Sequence, residues 1–446
     1  MDKRVLLYQA YGNEKRGYRQ KRFEFSSFNI SGVSREEVSE EGVNRTIHNL
    51  KELGLTQVEL GHAHHNTDKR AIQSCEKERL NLILQDLSRF GGFQNKDHVD
   101  ITEEDVKTLT EEIENYKCVK GFYVWDEPWK DKDIAEATKQ VEWFCKYASD
   151  KLALVAANPS YNPDYTWDNE LYPYYIDKFC DTIQPSVLSM DFYPFSGDGS
   201  PFNNEEQLDN SDLWKDLAVS KLVSTKRKLP FWFYYQVIRL WKGPELTFPM
   251  IRVQMNYALL YGAKALQCYG VAGSVCSPNK MEEKRRILES DFSEGCLFDD
   301  YKQQIAKVKE WSKTFIALKS EHVYHSPEVL RDDAYFNKYF REDVTESLLE
   351  VKELPFRCSV GLLSDDYGNQ YIGILNRDYE RAQSFSLPLK NTYRVYEVSY
   401  ADGRQYCIND STNCLNVTLA EGDMVFYRLQ DCREEAYEIE YICHES

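Results

Sequence analysis

Positive charge is in short supply in this chain: 55 Lys and Arg face 73 Asp and Glu, a net charge of −18 over 446 residues. A field of that sign repels phosphate backbones, which argues against nucleic-acid binding, and it disfavours an acidic polysaccharide. Long apolar runs are missing too. No stretch approaches the roughly 18 apolar residues of a membrane span, so no membrane role is expected. The opening run Val5-Leu6-Leu7-Tyr8 is too short for the core of a secretory signal. Twelve cysteines occur, but never with C-x-x-C or other metal-binding spacing. A chain of this size does not depend on a disulfide framework, so reduced thiols in a cytoplasm are expected, with export after removal of a leader as the alternative. Internal repeats, linkers and low-complexity segments are absent as well.

What remains is an ordinary globular composition, 42% hydrophobic and 29% charged, with one outlier: 31 Tyr, 22 Phe and 8 Trp make 14% of the chain aromatic. A ring with a polar tip suits the flat apolar face and hydroxyl rim of a sugar, so a neutral carbohydrate is the partner that charge and composition favour. A monomer or a homodimer fits equally well.

Between about residues 20 and 318, short apolar runs alternate with longer amphipathic ones, the pattern of βα units on a parallel sheet. Eight strand candidates follow in order: Phe25–Ile30, Gln57–Gly61, Asn81–Asp86, Gly121–Trp125, Leu152–Ala157, Val187–Asp191, Phe231–Gln236 and Ala265–Tyr269. Eight is the number that closes a TIM (β/α)₈ barrel. Helices are predicted over Glu41–Glu52, Glu103–Tyr116, Lys132–Ala148, Met250–Tyr261 and Tyr301–Ser320. After Ser320 short strands and turn clusters take over, which predicts a barrel over 1–320 and a small all-β domain, a β-sandwich, over 321–446.

Active sites of such barrels lie at the C-terminal ends of the strands. The fourth candidate strand runs Gly121-Phe122-Tyr123-Val124-Trp125 straight into Asp126-Glu127-Pro128, leaving acids at the mouth. Glycosidic cleavage needs a carboxylic acid to protonate the leaving oxygen, and flanking Trp125 and Trp129 would desolvate Glu127 and raise its pKa toward that role. The alternative is that Asp-Glu-Pro merely caps the next helix. Other strand ends offer His62, His64 and Asp86, then Asn158 and Tyr161, Asp191 and Tyr193, Gln236, and Tyr269. His62 and His64 share a face of an extended strand, with Glu59 on the other, and with Asp86 they outline a metal-site alternative. Trp129, Tyr193 and Trp241 lie beyond strand ends and are the better stacking platforms, whereas Trp232 sits earlier on its strand and reads as core.

Asp126-Glu127-Pro128 resembles the Asn-Glu-Pro acid/base motif of the large retaining clan of glycoside hydrolases with (β/α)₈ barrels, especially its β-galactosidase-like members and gut-bacterial relatives. Val187–Phe195, with its Asp-Phe-Tyr-Pro, Leu229–Phe233 and Tyr257–Ala265 resemble the sixth strand, the seventh strand and the helix before the eighth in those relatives. The resemblance spans roughly residues 25 to 430. It implies a glycosidase without cofactor or metal, with Glu127 as acid. Two departures stand out. The Asn that contacts the sugar 2-hydroxyl is Asp126 here, and the nucleophilic Glu ending strand seven is Gln236, an amide that cannot attack. The second carboxylate is then Asp191, or Glu245 from the loop after strand seven, or the barrel binds sugar without cleaving it. Ends of strands four and six stand about 9–10 Å apart at ~4.8 Å per strand, nearer the inverting than the retaining separation. A metal-dependent barrel isomerase or hydrolase built on the histidines is a further reading.

Overall fold

The structure is a computed structural model that describes residues 2–8, 12–13, 16–28, 39–60, 69–84, 101–160, 171–195, 208–240, 243–271, 285–289, 291–329 and 342–443. The first strand, β1 (Asp2–Tyr8), lies outside the barrel and pairs in parallel with the last, β16 (Tyr437–Cys443). The apolar start of the chain is thus the outer half of a two-stranded ribbon, a pairing between chain ends that no local pattern announces.

The eight expected strands form one parallel sheet: β2 (Glu24–Phe28), β3 (Gln57–Leu60), β4 (Asn81–Leu84), β5 (Val119–Asp126), β6 (Leu152–Ala157), β7 (Leu188–Asp191), β8 (Phe231–Gln236) and β9 (Ala265–Tyr269). β9 pairs back onto β2, and β2 meets β3 where the Thr56 N–H donates to the Phe25 carbonyl at 2.9 Å, so the sheet curls into a barrel. Helices α1 (Glu40–Glu52), α2 (Lys69–Glu78), α3 (Glu103–Ile113), α4 (Asp131–Tyr147), α5 (Leu171–Ile183), α6 (Leu213–Arg227), α7 (Phe248–Leu260) and α8 (Phe298–Phe315) surround it. α3 shows why such segments are helical. Val106, Leu109 and Ile113 fall on one buried face at helical spacing, and Thr102 and Asp105 form a reciprocal capping box at its start.

Strand alternation divides the core in two. Phe25, Val58, Phe122, Val155, Phe233 and Leu266 face the helices. Ile83, Tyr123, Leu154, Ala156, Trp232 and Tyr234 fill the barrel. Trp232 is fully buried, with its indole N–H donating to Gln20 at 2.8 Å, the core position expected of it. Gly121 enters the barrel at a point where only glycine fits: a Cβ there would stand 2.5 Å from the Leu152 carbonyl oxygen.

After α8 comes an antiparallel six-stranded sheet of β10 (Lys319–His325), β11 (Cys358–Ser364), β12 (Gln370–Asn376), β13 (Gln383–Val398), β14 (Gln405–Leu419) and β15 (Met424–Asp431). Its order is β10-β11-β12-β15-β13-β14. Register shifts after Pro388 bend the long β13–β14 hairpin. Its outer half, with Phe385, Leu387, Leu415 and Val417, then shares one buried cluster with Val360 and Ile374 of the sheet. The fold is therefore a TIM barrel followed by a β-sandwich-like domain. The cysteines from Cys75 to Cys268 and from Cys296 to Cys432 are free, and no described helix is long and apolar enough to cross a membrane.

Candidate active site

Two local features of the fourth barrel strand decide where its acids point. Strict alternation from Tyr123, which fills the barrel, would send Trp125 inward and Asp126 outward. Pairing of β5 with β6 slips between Tyr123 and Trp125, a bulge that inverts the phase. Trp125 then packs against the outer core, and Asp126 turns in to accept a hydrogen bond from the Tyr123 hydroxyl at 2.6 Å. The next residue, Glu127, has a φ of +47°, a left-handed conformation that costs a non-glycine residue energy and re-aims its side chain. Its N–H donates to the Ala156 carbonyl at 3.1 Å, which anchors the strained turn to β6.

Asp191 ends β7, two strands away, and is 6% exposed. A side-chain hydrogen bond joins it directly to Glu127. The 9–10 Å expected from strand spacing alone is therefore too long. On β6, between the two strands, Ala156 pairs with Asp126 and with Ser189, and Ala157 pairs with Met190. Asp191 also accepts from Tyr193, while its Oδ1 has no partner among the described residues.

Burial, then the charges of Asp191 and Asp126, push the Glu127 carboxyl well above the carboxylate range. Burial and the Asp126 charge raise Asp191 to about 7, against the opposing pull of hydrogen bonds from Tyr193 and Glu127. Two carboxyls in contact, Asp191 buried and Glu127 half-buried, cannot both ionise cheaply, so the pair favours holding one proton, with Glu127 the stronger holder. Asp126 is raised too, chiefly by burial.

Around this pair the other expected residues divide. Tyr193 and Tyr269 stand together, ring centroids 4.8 Å apart, and Tyr269 stacks on Phe28 at 5.6 Å. Asn158 is fully buried; its backbone N–H donates to the Tyr175 hydroxyl, which donates to the Pro128 carbonyl at 2.8 Å and so ties the fifth-strand loop to the fourth. Trp129 packs against the outer core under the Lys130 ammonium, 4.4 Å from the ring centroid. Gln236, expected to position substrate, does not: its amide accepts from the Phe195 N–H at 3.0 Å and donates to the carbonyls of Phe195 and Ile238 at 3.2 and 2.9 Å. Fully buried, it is a backbone clamp. Glu245 is not among the charges that act on Glu127. His62, His64, Asp86, Tyr161 and Trp241 lie outside the described residues.

One group was missed in the sequence. Glu59 is fully buried inside the barrel, where it accepts from Ser26 at 2.7 Å, Tyr234 at 2.5 Å and Gln267 at 2.8 Å. Burial raises it to about 7 despite those donors. The signal was available: Ser26, Glu59, Tyr234 and Gln267 each sit at an inward phase of an apolar strand, so a shared polar layer under the mouth follows once the barrel is closed. A cleft of about 900 Å³ lined by described residues, Lys264 and Phe231 among them, opens at the opposite, N-terminal end of the strands. No carboxyl pair of this kind borders it.

Solved structures share this architecture. A Bacteroides fragilis protein provisionally assigned as an α-galactosidase superposes with a TM-score of 0.52 at 10% identity, over 92% of this chain and 79% of that one. α-Galactosidase I from Mortierella vinacea gives 0.50 at 10% identity, over 94% and 98%. The β-galactosidase of the psychrophilic Marinomonas ef1 gives 0.50 at 10% identity, over 66% of this chain and 62% of that one. These neighbours are glycoside hydrolases, and at such identities what they share with this chain is the fold. No family model matches the chain, and no curated protein does.

Proposed function

We propose that the chain is a glycoside hydrolase acting on a neutral glycoside or oligosaccharide, with Glu127 as general acid and Asp191 as its partner carboxylate. The observation that carries this reading is the side-chain contact between Glu127 and Asp191 at the C-terminal end of the barrel strands. Contact between the two side chains favours the retaining separation of roughly 5–5.5 Å over the inverting one of about 6.5–9.5 Å. Glu127 gives its proton to the glycosidic oxygen as the C1–O bond breaks, while Asp191 attacks C1 and forms a glycosyl ester. Water then adds to C1, releasing Asp191, and Glu127 takes up the water's proton. No cofactor enters this scheme. Tyr193 and Tyr269 offer an aromatic wall beside the pair, and the chain's negative charge suits an uncharged sugar.

The amide of Gln236, the residue that favoured binding without cleavage, bonds the backbone of Phe195 and Ile238, which weakens that alternative. The pH dependence follows from the pair. Asp191 must be ionised to attack, so kcat/KM rises as pH climbs through about 7. It falls again at higher pH as Glu127, raised well above the carboxylate range and the stronger holder of the pair's proton, loses it.

A panel of aryl glycosides with poor leaving groups, methoxyphenyl among them, assayed across neutral pH tests the reading. Hydrolysis of at least one member is expected, with Glu127→Gln and Asp191→Asn each losing about 10²–10⁴-fold in kcat/KM. Full activity in either variant removes that residue from the mechanism. Loss of activity to a chelator would favour a metal centre built on His62 and His64 instead.

A further inference from the structure

The turn between β12 and β13 belongs to the C-terminal sheet, yet it reaches the segment that follows the sixth barrel strand. Arg377 is 1% exposed, and its guanidinium donates to Asp209 and to Ser326. Asp209 is itself buried and sits just before α6, on the connection that leaves the catalytic end of β7. Arg357 approaches the other Asp209 oxygen at 3.5 Å and Asp378 at 3.2 Å. Two residues on from Arg377, the ring of Tyr379 meets Phe195 edge-on, with centroids 5.4 Å apart and planes at 84°. The turn itself is stiff: the Asp378 carboxylate accepts from the N–H groups of Glu380 and Arg381, and Asn376 Oδ1 accepts from the Asp378 N–H at 3.0 Å.

These two contacts do not fall on arbitrary surface. Phe195 is four residues beyond Asp191, and every residue from Asp191 to Phe195 is buried. Phe195 is held on its backbone by the Gln236 amide from the seventh strand and on its ring by Tyr379 from the sheet. Phe192 is tied to the Tyr234 carbonyl through its N–H at 3.3 Å. Asp191 therefore begins a short, fully packed stretch whose far end is clamped by the C-terminal sheet.

We propose that Tyr379 is a positioning residue of the catalytic site: through Phe195 it fixes the register of the Asp191–Phe195 stretch and holds Asp191 against Glu127. The C-terminal sheet on this view is part of the catalytic apparatus. The inference rests on the glycosidase reading above, since it assigns Tyr379 to the same carboxyl pair. A displacement of about 1 Å at a reacting group is enough to cost on the order of 10²-fold in rate, so a contact two removes from the chemistry can matter.

The half-buried Tyr379 allows a test that does not threaten folding as loss of the buried Arg377 would. Tyr379→Leu is expected to lower kcat by about 10–100-fold with KM changed less than two-fold. Tyr379→Phe, which keeps the ring, recovers most of that loss. In parallel, the side-chain carboxyl of Asp191 is followed by carbon NMR in aspartate-labelled protein, with Asp191→Asn for assignment. Its titration is expected to move above its native position near 7 in Tyr379→Leu, because the hydrogen bond from Glu127 that holds it down loosens while burial and the Asp126 charge remain. The NMR arm needs no substrate, so it judges the clamp even if no glycoside in the panel is cleaved, a result that counts against the glycosidase reading alone. A folded Tyr379→Leu protein with an unchanged Asp191 titration overturns the proposal, and so does an unchanged kcat in an active enzyme.

Discussion

Glu127 and Gln236 show how little a residue's type says until its neighbours are known. Glu127 is an acid that keeps its proton because burial and two nearby carboxyls penalise the charged form. Gln236 stands at the strand end where the resemblance implied a nucleophile, but it makes three hydrogen bonds to backbone, which use both of its amide hydrogens. Restoring the acid there should therefore not restore a catalyst. In Gln236→Glu a carboxylate would face the carbonyl oxygens of Phe195 and Ile238, now 3.2 and 2.9 Å from the amide nitrogen. The expected result is a loss of about 2–4 kcal/mol in stability, read as a lower denaturant midpoint, with no gain in glycoside hydrolysis. A stable variant with raised activity would mean that position 236 faces the substrate after all.

Among the elements, the strands of the barrel were readable from the sequence because each is a short apolar run between charged stretches, and all eight form where those runs lie. α5 and α6 were harder. α6 buries residues on nearly every side, Trp214, Asp216, Leu217 and Ser220 among them, so it lacks the polar face that marks a surface helix. The β5 bulge and the left-handed Glu127 were invisible, since both are settled by pairing with β6 and not by any local preference. Hence the identity of Glu127 and Asp191 as candidates could be read, but their direct contact could not. The joint between barrel and sheet was equally hidden. It centres on His325 of β10, whose ring nitrogens meet the Tyr261 hydroxyl of α7 at 2.7 Å and Ser359 of β11 at 2.8 Å. Burial first, and the Lys221 charge second, depress this imidazole to about 3. The native state thus favours neutral histidine, whereas the unfolded chain takes up a proton near 6.5. Stability from this group is full above that value and is lost as pH falls from about 6.5 toward 3. Thermal unfolding between pH 4 and 8 should show a smaller acid loss in His325→Gln than in the native sequence. An identical loss would place the acid sensitivity elsewhere.

Across the whole molecule, the two ends of the barrel differ in their chemistry. At the N-terminal end Trp232 is locked to Gln20, and the Lys264 ammonium donates to the carbonyls of Phe315 and Leu318 just where α8 ends. At the other end lie raised carboxyls, a strained backbone turn and a clamp from the C-terminal sheet, features that cost stability and are expected where a fold does chemistry. The central claim is that Glu127 delivers a proton to a departing oxygen. It is tested most directly by comparing leaving groups in Glu127→Gln. A dinitrophenyl glycoside, whose leaving group departs without help, should be cleaved at nearly the native rate in the first step. A methoxyphenyl glycoside should lose about 10²–10⁴-fold. An equal loss for both leaving groups, or none for either, would contradict the account.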